Sequence, residues 1–135
     1  MTPIKMHSFG SALHVDVEIW NKASNNFNSA FLVFDTGATV TTISAGILAD
    51  LGYDVAGGKQ AKITTGSGTA YVREVMIDGF KLGSHVVENI RVYAHNFPDE
   101  SFTTGVVGLN IISQFDIHLL FSKQLIEITK ICKTG

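Results

Sequence analysis

The chain has 135 residues, about one domain's length, and with 45% apolar and 16% charged residues it is not a disordered chain. A net charge of −2 at pH 7 argues against a nucleic-acid binder, which would carry a basic patch or stripe. The single cysteine, Cys132, excludes an internal disulfide and leaves no thiolate set for zinc.

No apolar run reaches the roughly 18 residues of a membrane span. The segment Met1 to His7 lacks the apolar core of a signal peptide. A cytoplasmic protein with no membrane partner is expected, forming a single domain over residues 1–135.

Leu13, Val15, Val17 and Ile19 alternate with His14, Asp16 and Glu18, the period of a half-buried strand. A turn-rich stretch, Asn21 to Ser29, follows. The continuous apolar run Ala30 to Phe34 predicts a strand buried on both faces. It stops at Asp35-Thr36-Gly37-Ala38. Val40 to Ile43 predicts another short strand. Ser44 is placed to N-cap a helix through Leu51, with Gly52 as its C′ residue.

Beyond that helix the chain is mostly strands. Gln60 to Thr65 leads into Gly66-Ser67-Gly68, and Thr69 to Ile77 leads away. Asp78-Gly79 predicts a two-residue hairpin turn. Phe80 to Leu82 and Val86 to Ala94 follow as strands, then a polar loop from His95 to Thr104. Gly105 to Gly108 is a short apolar strand, and Leu109 to Phe115 has room for one or two helical turns. Ile117 to Phe121 and Leu125 to Ile131 form a last hairpin. Many short strands with one or two short helices predict an all-β fold.

Chemistry concentrates at Asp35, where a carboxylate ends a buried apolar strand. Burial disfavours an ionised carboxylate unless hydrogen bonds or a shared proton compensate. Thr36 supplies a hydroxyl, and Gly37 lets the backbone approach and aim an N–H at the carboxylate. An Asp opening a turn through Gly37 is the plainer alternative. Asp-Thr/Ser-Gly alone recurs by chance in roughly one chain in twenty of this length, so it needs company.

It has company, in order: strand–Asp35-Thr36-Gly37-Ala38, strand–Gly66-Ser67-Gly68–strand, and Val106-Val107-Gly108-Leu109-Asn110 before a short helix. This arrangement, over residues 12–131, resembles a lobe of an aspartic protease of the single-domain retropepsin-like type. The resemblance implies a closed, barrel-like acid protease lobe with Asp35 as the catalytic aspartate. Thr36, Gly37 and Ala38 would support it, and Gly66, Ser67 and Gly68 would form a flap over the substrate. Gly108 would mark the second motif, beneath the catalytic loop.

The chemistry agrees with that resemblance. Hydrolysis by carboxylates needs two of them facing one water, one to accept its proton and one, protonated, to polarise the carbonyl. Two such groups about 3 Å apart share a proton. One chain carries one Asp-Thr-Gly, so the second carboxylate is expected from a two-fold homodimer. The expected function is an aspartic endopeptidase acting on peptide or protein substrates, with no cofactor. Thr36 is expected to hydrogen-bond across the two-fold. The alternative is a non-catalytic dimerisation or peptide-binding module retaining the same fold.

Two departures are visible. Retroviral members often place an acidic residue and an arginine, an interface ion pair, where this chain has Thr39 and Leu109. Thr65 stands where pepsin lobes put the flap tyrosine. Other chemistries fare poorly. His7, His14, His85, His95 and His118 lack metal-ligand spacing. Gly66-Ser67-Gly68 lacks the Gly-Lys-Ser/Thr ending and following helix of a phosphate loop. Ser44 has no histidine in an evident partner position.

Overall fold

A computed structural model describes residues 2–9, 12–66, 68–96 and 104–132. Most of the polar loop predicted from His95 to Thr104, and Ser67 of the glycine hairpin, lie outside the described residues.

The described residues form ten strands and two short helices: β1 (Thr2–Phe9), β2 (Ala12–Asn21), β3 (Asn26–Phe34), β4 (Thr42–Ser44), α1 (Ala45–Asp50), β5 (Lys59–Thr65), β6 (Gly68–Leu82), β7 (His85–His95), β8 (Gly105–Val107), α2 (Leu109–Ile112), β9 (Phe115–Leu120) and β10 (Leu125–Lys130). The sheet runs β5-β6-β7-β4-β8-β3-β2-β1-β10-β9, and β6 also pairs with β2. That extra pairing, Glu18 opposite Lys81 and Ile19 opposite Phe80, closes six strands into a ring. The fold is mostly β, a ring of six strands with two short helices.

The ring encloses the core. Val15, Leu32, Ile43, Ile77, Phe80 and Val107 are fully buried there. Each sits on a strand whose alternate residues face outward, so period-two patterning and burial agree. Along β2, Val15, Val17 and Ile19 are buried while Asp16 is exposed. His14 departs from that alternation. It is buried, with its ring stacked on Phe31 at 4.8 Å between centroids.

Several elements differ from the sequence expectation. The turn before β3 is shorter than predicted, only residues 22–25, tightened by the Asn21 side chain accepting the N–H groups of Ala23 and Ser24. Along β3 only Leu32 and Phe34 of the apolar run are buried; Phe31, on the opposite face, packs on the His7 and His14 rings and is only half-buried. Ser44 precedes α1 as its N-cap, but its hydroxyl makes no cap hydrogen bond. Gly52 ends the helix at φ +91°, in the left-handed region glycine tolerates.

Asp78-Gly79 does not turn the chain; β6 runs straight through it. The turn lies at Gly83, φ +62°, where Leu82 opposes His85. Gly79 serves packing instead. A Cβ there would lie 3.3 Å from the Phe27 ring and 3.5 Å from Trp20 Cβ. The Asp78 N–H donates to the Tyr53 hydroxyl at 3.2 Å.

Strand β1, not anticipated, pairs with β10 through Thr2 to Lys5 and with β2 through Met6 to Phe9. Ile4 and Met6 enter the core. No described helix is long and apolar enough to cross a membrane.

Candidate active site

Strand β8 lies between β3 and β4. It runs parallel to β3, with Phe34 opposite Val107, and antiparallel to β4, with Ile43 opposite Gly105. The chain leaving β3 must therefore cross the end of β8 to reach β4. Residues 35–41 make that crossing, and Asp35 opens it.

The ladder extends one step beyond Phe34, where the Asp35 N–H donates to the Val107 carbonyl at 3.0 Å. The chain then folds on itself. Ala38 N–H donates to the Asp35 carbonyl at 3.3 Å, and Gly37 N–H to Asp35 Oδ1 at 2.8 Å. A charge-assisted hydrogen bond of this kind orients the carboxylate. A Cβ on Gly37 would sit 3.1 Å from that same oxygen, so the motif glycine leaves the carboxylate room. Asp35 is half-buried, Thr36 and Gly37 are exposed, and Ala38 is half-buried.

The crossing is braced from below. Gly108 passes so close that a Cβ would lie 2.7 Å from the Val40 carbonyl carbon and 2.8 Å from the Ala38 oxygen. Only a residue without a side chain fits that approach. The Gly108 N–H donates to the Thr41 hydroxyl at 2.9 Å, and that hydroxyl donates to Asn110 Oδ1 at 2.8 Å. Thr41 N–H reaches the same Asn110 oxygen at 2.9 Å. Backbone bonds from Leu109 to Ala38 at 2.8 Å and from Asn110 to Thr39 at 3.2 Å complete the brace. Where retroviral members carry a charge pair, Thr39 and Leu109 instead make main-chain bonds, Thr39 to Asn110 and Leu109 to Ala38.

The predicted flap is the β5–β6 hairpin, with Thr65 opposite Gly68. Gly66 and Gly68 are both exposed. Gly68 has φ +124° and open space around it; Gly66 also has open space but no left-handed φ, so only one of the two requires glycine.

Between strand β5 and the Asp35 loop runs a cleft of about 470 Å³. Gly37 to Val40 and Thr42 line one side, Ile63 and Thr64 of β5 another, and Arg91 and Tyr93 of β7 the rest. Tyr71 is turned elsewhere: it is exposed and lines a separate depression with Ala45, Arg73 and His95. Among the described residues no three His, Cys, Asp or Glu side chains converge as metal ligands would.

Thr41, Asn110, Arg91 and Tyr93 have no anticipated role. Asn110 is visible in the sequence only as the end of the second motif. Thr41 is a buried hydroxyl inside a threonine-rich run that nothing in the sequence distinguishes from its neighbours.

The family model for aspartyl proteases matches residues 24–111, well over half of the chain. The fold matches the crystal structure of a retropepsin-like aspartic protease from Rickettsia conorii, with a TM-score of 0.68 and 16% identity, over 93% of this chain and 87% of that one. Among curated proteins none matches the sequence. With strand, Asp-Thr-Gly crossing and underlying Gly108 all falling inside the matched region, the chain belongs to the aspartyl protease family and has the fold of that retropepsin-like structure.

Proposed function

We propose that the protein is an aspartic endopeptidase that acts as a homodimer, hydrolysing peptide bonds with a water held between two Asp35 carboxylates. The observation that carries this reading is the single Asp35 carboxylate, fixed by Gly37 N–H at 2.8 Å on a braced loop beside an open cleft. One carboxylate is half of the required chemistry, and an isologous contact about a two-fold supplies the other.

The step is general acid–base catalysis. One Asp35 carboxylate takes a proton from water as its oxygen attacks the peptide carbonyl carbon. The partner subunit's Asp35, protonated, gives its proton to the carbonyl oxygen. The tetrahedral diol then collapses: the first Asp35 gives the proton it took to the amide nitrogen, a diol hydroxyl returns its proton to the partner subunit's Asp35, the C–N bond breaks, and amine and carboxylic acid leave. Two carboxyls about 3 Å apart share one proton readily, because both cannot ionise together. Thr36, exposed beside Asp35, is positioned to brace the paired loops, and an extended peptide lies in the cleft as an added strand beneath the β5–β6 hairpin.

The test is digestion of a peptide library by wild type and by Asp35→Asn. The amide still accepts the Gly37 N–H, so the fold stays and cleavage falls by roughly 10³-fold or more. Undiminished cleavage by the variant overturns the assignment. Titrating Asp35→Asn chains into wild type should lower activity per wild-type chain, as mixed dimers form. Activity indifferent to mixing and to dilution overturns the paired site.

A further inference from the structure

We propose that Arg91 gives the cleft a preference for peptides carrying an acidic side chain at one fixed position beside the cleaved bond, an inference that rests on the peptidase reading above. Among the described residues lining the cleft, Arg91 is the one charged side chain; its neighbours there are small, apolar, hydroxyl-bearing or, at Tyr93, aromatic. A cation set in an otherwise neutral wall marks the chemistry of what that wall meets.

The guanidinium is oriented without being used up. It lies 5.8 Å from the Tyr93 ring centroid, and its Nη1 is 3.6 Å from Glu74 Oε1. The Arg91 side chain is 51% exposed, and an ion pair at that separation and exposure is weak. Five N–H donors in a planar fork exceed what one loosely held carboxylate can satisfy. A carboxylate entering the cleft can take the remaining donors in a bidentate pair, which a lysine in the same place could not reproduce.

The position is fixed relative to the chemistry. Asn110 Nδ2 donates to the Arg91 carbonyl at 2.7 Å, while Asn110 Oδ1 holds Thr41 of the catalytic loop. One side chain thus ties the strand bearing Arg91 to the loop bearing Asp35. A peptide bound as a strand presents alternate side chains to one wall. Only one register then brings an acidic side chain to Arg91 while the cleaved bond faces Asp35.

Paired peptides differing only in Asp or Glu against Asn or Gln at that position test the proposal, the position being located by library digestion. The expected ratio of kcat/KM, acidic over neutral, is about tenfold in wild type at low salt and shrinks as salt is added. Arg91→Met should bring the ratio near one, Arg91→Glu should invert it in favour of Lys or Arg peptides, and Glu74→Gln should raise it. A ratio unchanged by Arg91→Met and Arg91→Glu, both verified as folded, overturns the proposal while leaving the peptidase reading standing. A wild type that cuts no peptide overturns both.

Discussion

Asn110 Oδ1 accepts two hydrogen bonds from Thr41, one from its backbone N–H at 2.9 Å and one from its hydroxyl at 2.8 Å. These residues are 69 apart in sequence, and they join the first motif's loop to the second motif's helix. The Thr41 hydroxyl in turn accepts the Gly108 N–H, so it is satisfied as donor and acceptor in a fully buried position. The conformation around Asp35 is therefore set from beneath, by groups on the far side of the loop.

Breaking this junction should cost both stability and activity. Asn110→Ala leaves the Thr41 N–H and hydroxyl without their partner and removes the bond to the exposed Arg91 carbonyl. Thr41→Val leaves the Gly108 N–H unanswered. Each should destabilise by about 1–3 kcal/mol, the cost of stranding buried polar groups. The double variant should cost less than the sum, since the two share one network. Urea unfolding of the four proteins measures the coupling. Strict additivity would mean that the two side chains act independently.

The site was unevenly legible in the sequence. The strand ending at Asp35, the Gly66–Gly68 hairpin and the Gly108 turn could be read because each pairs an apolar run with a glycine, and that combination has a local physical meaning. The brace could not be read, since Thr41 and Asn110 meet only after β8 has slid between β3 and β4. Strand β1 left a period-two trace, Ile4 and Met6 alternating with Lys5 and His7, too short to separate from an unstructured start. Asp78-Gly79 misled for a tertiary reason. Its glycine admits the Phe27 ring, and the chain waits until Gly83 to turn.

Tyr53 bridges the loop after α1 to two strands. Its hydroxyl donates to the Trp20 carbonyl at 2.7 Å and accepts the Asp78 N–H at 3.2 Å. Burial raises its pKa above the usual 10.0; the Asp78 N–H opposes that rise and the Asp78 charge adds to it. A raised folded-state pKa means that the unfolded chain releases the proton first as pH climbs. Tyr53 therefore contributes stability that is intact below about pH 10 and is lost as pH rises from there through the folded-state value. Tyr53→Phe should cost about 1–3 kcal/mol at neutral pH, through the stranded carbonyl and N–H. Its urea midpoint should also fall less than that of wild type between neutral pH and pH 10.5. Parallel midpoint-against-pH curves for the two proteins would show that the phenol carries no such linkage.

Gly68 offers the sharpest test of the hairpin's role, because free space would admit a side chain there and the backbone angle would not. Nothing lies within 4 Å of where its Cβ would sit, so the Cβ of a side chain meets no obstacle. Its φ of +124° is closed to a β-branched residue, so the backbone must change. Gly66, equally open but without a left-handed φ, is the matched control. Gly66→Ala should leave turnover within a few-fold of wild type. If the tip closes over the peptide as proposed, Gly68→Val should re-aim it, lowering kcat/KM by about tenfold or more while the exposed position costs only about 1 kcal/mol of stability. Kinetics against melting temperature for both variants decides the matter. If Gly68→Val loses activity only in step with unfolding, or keeps full turnover, the hairpin is a passive strand connection and substrate closure lies elsewhere on the rim of the cleft.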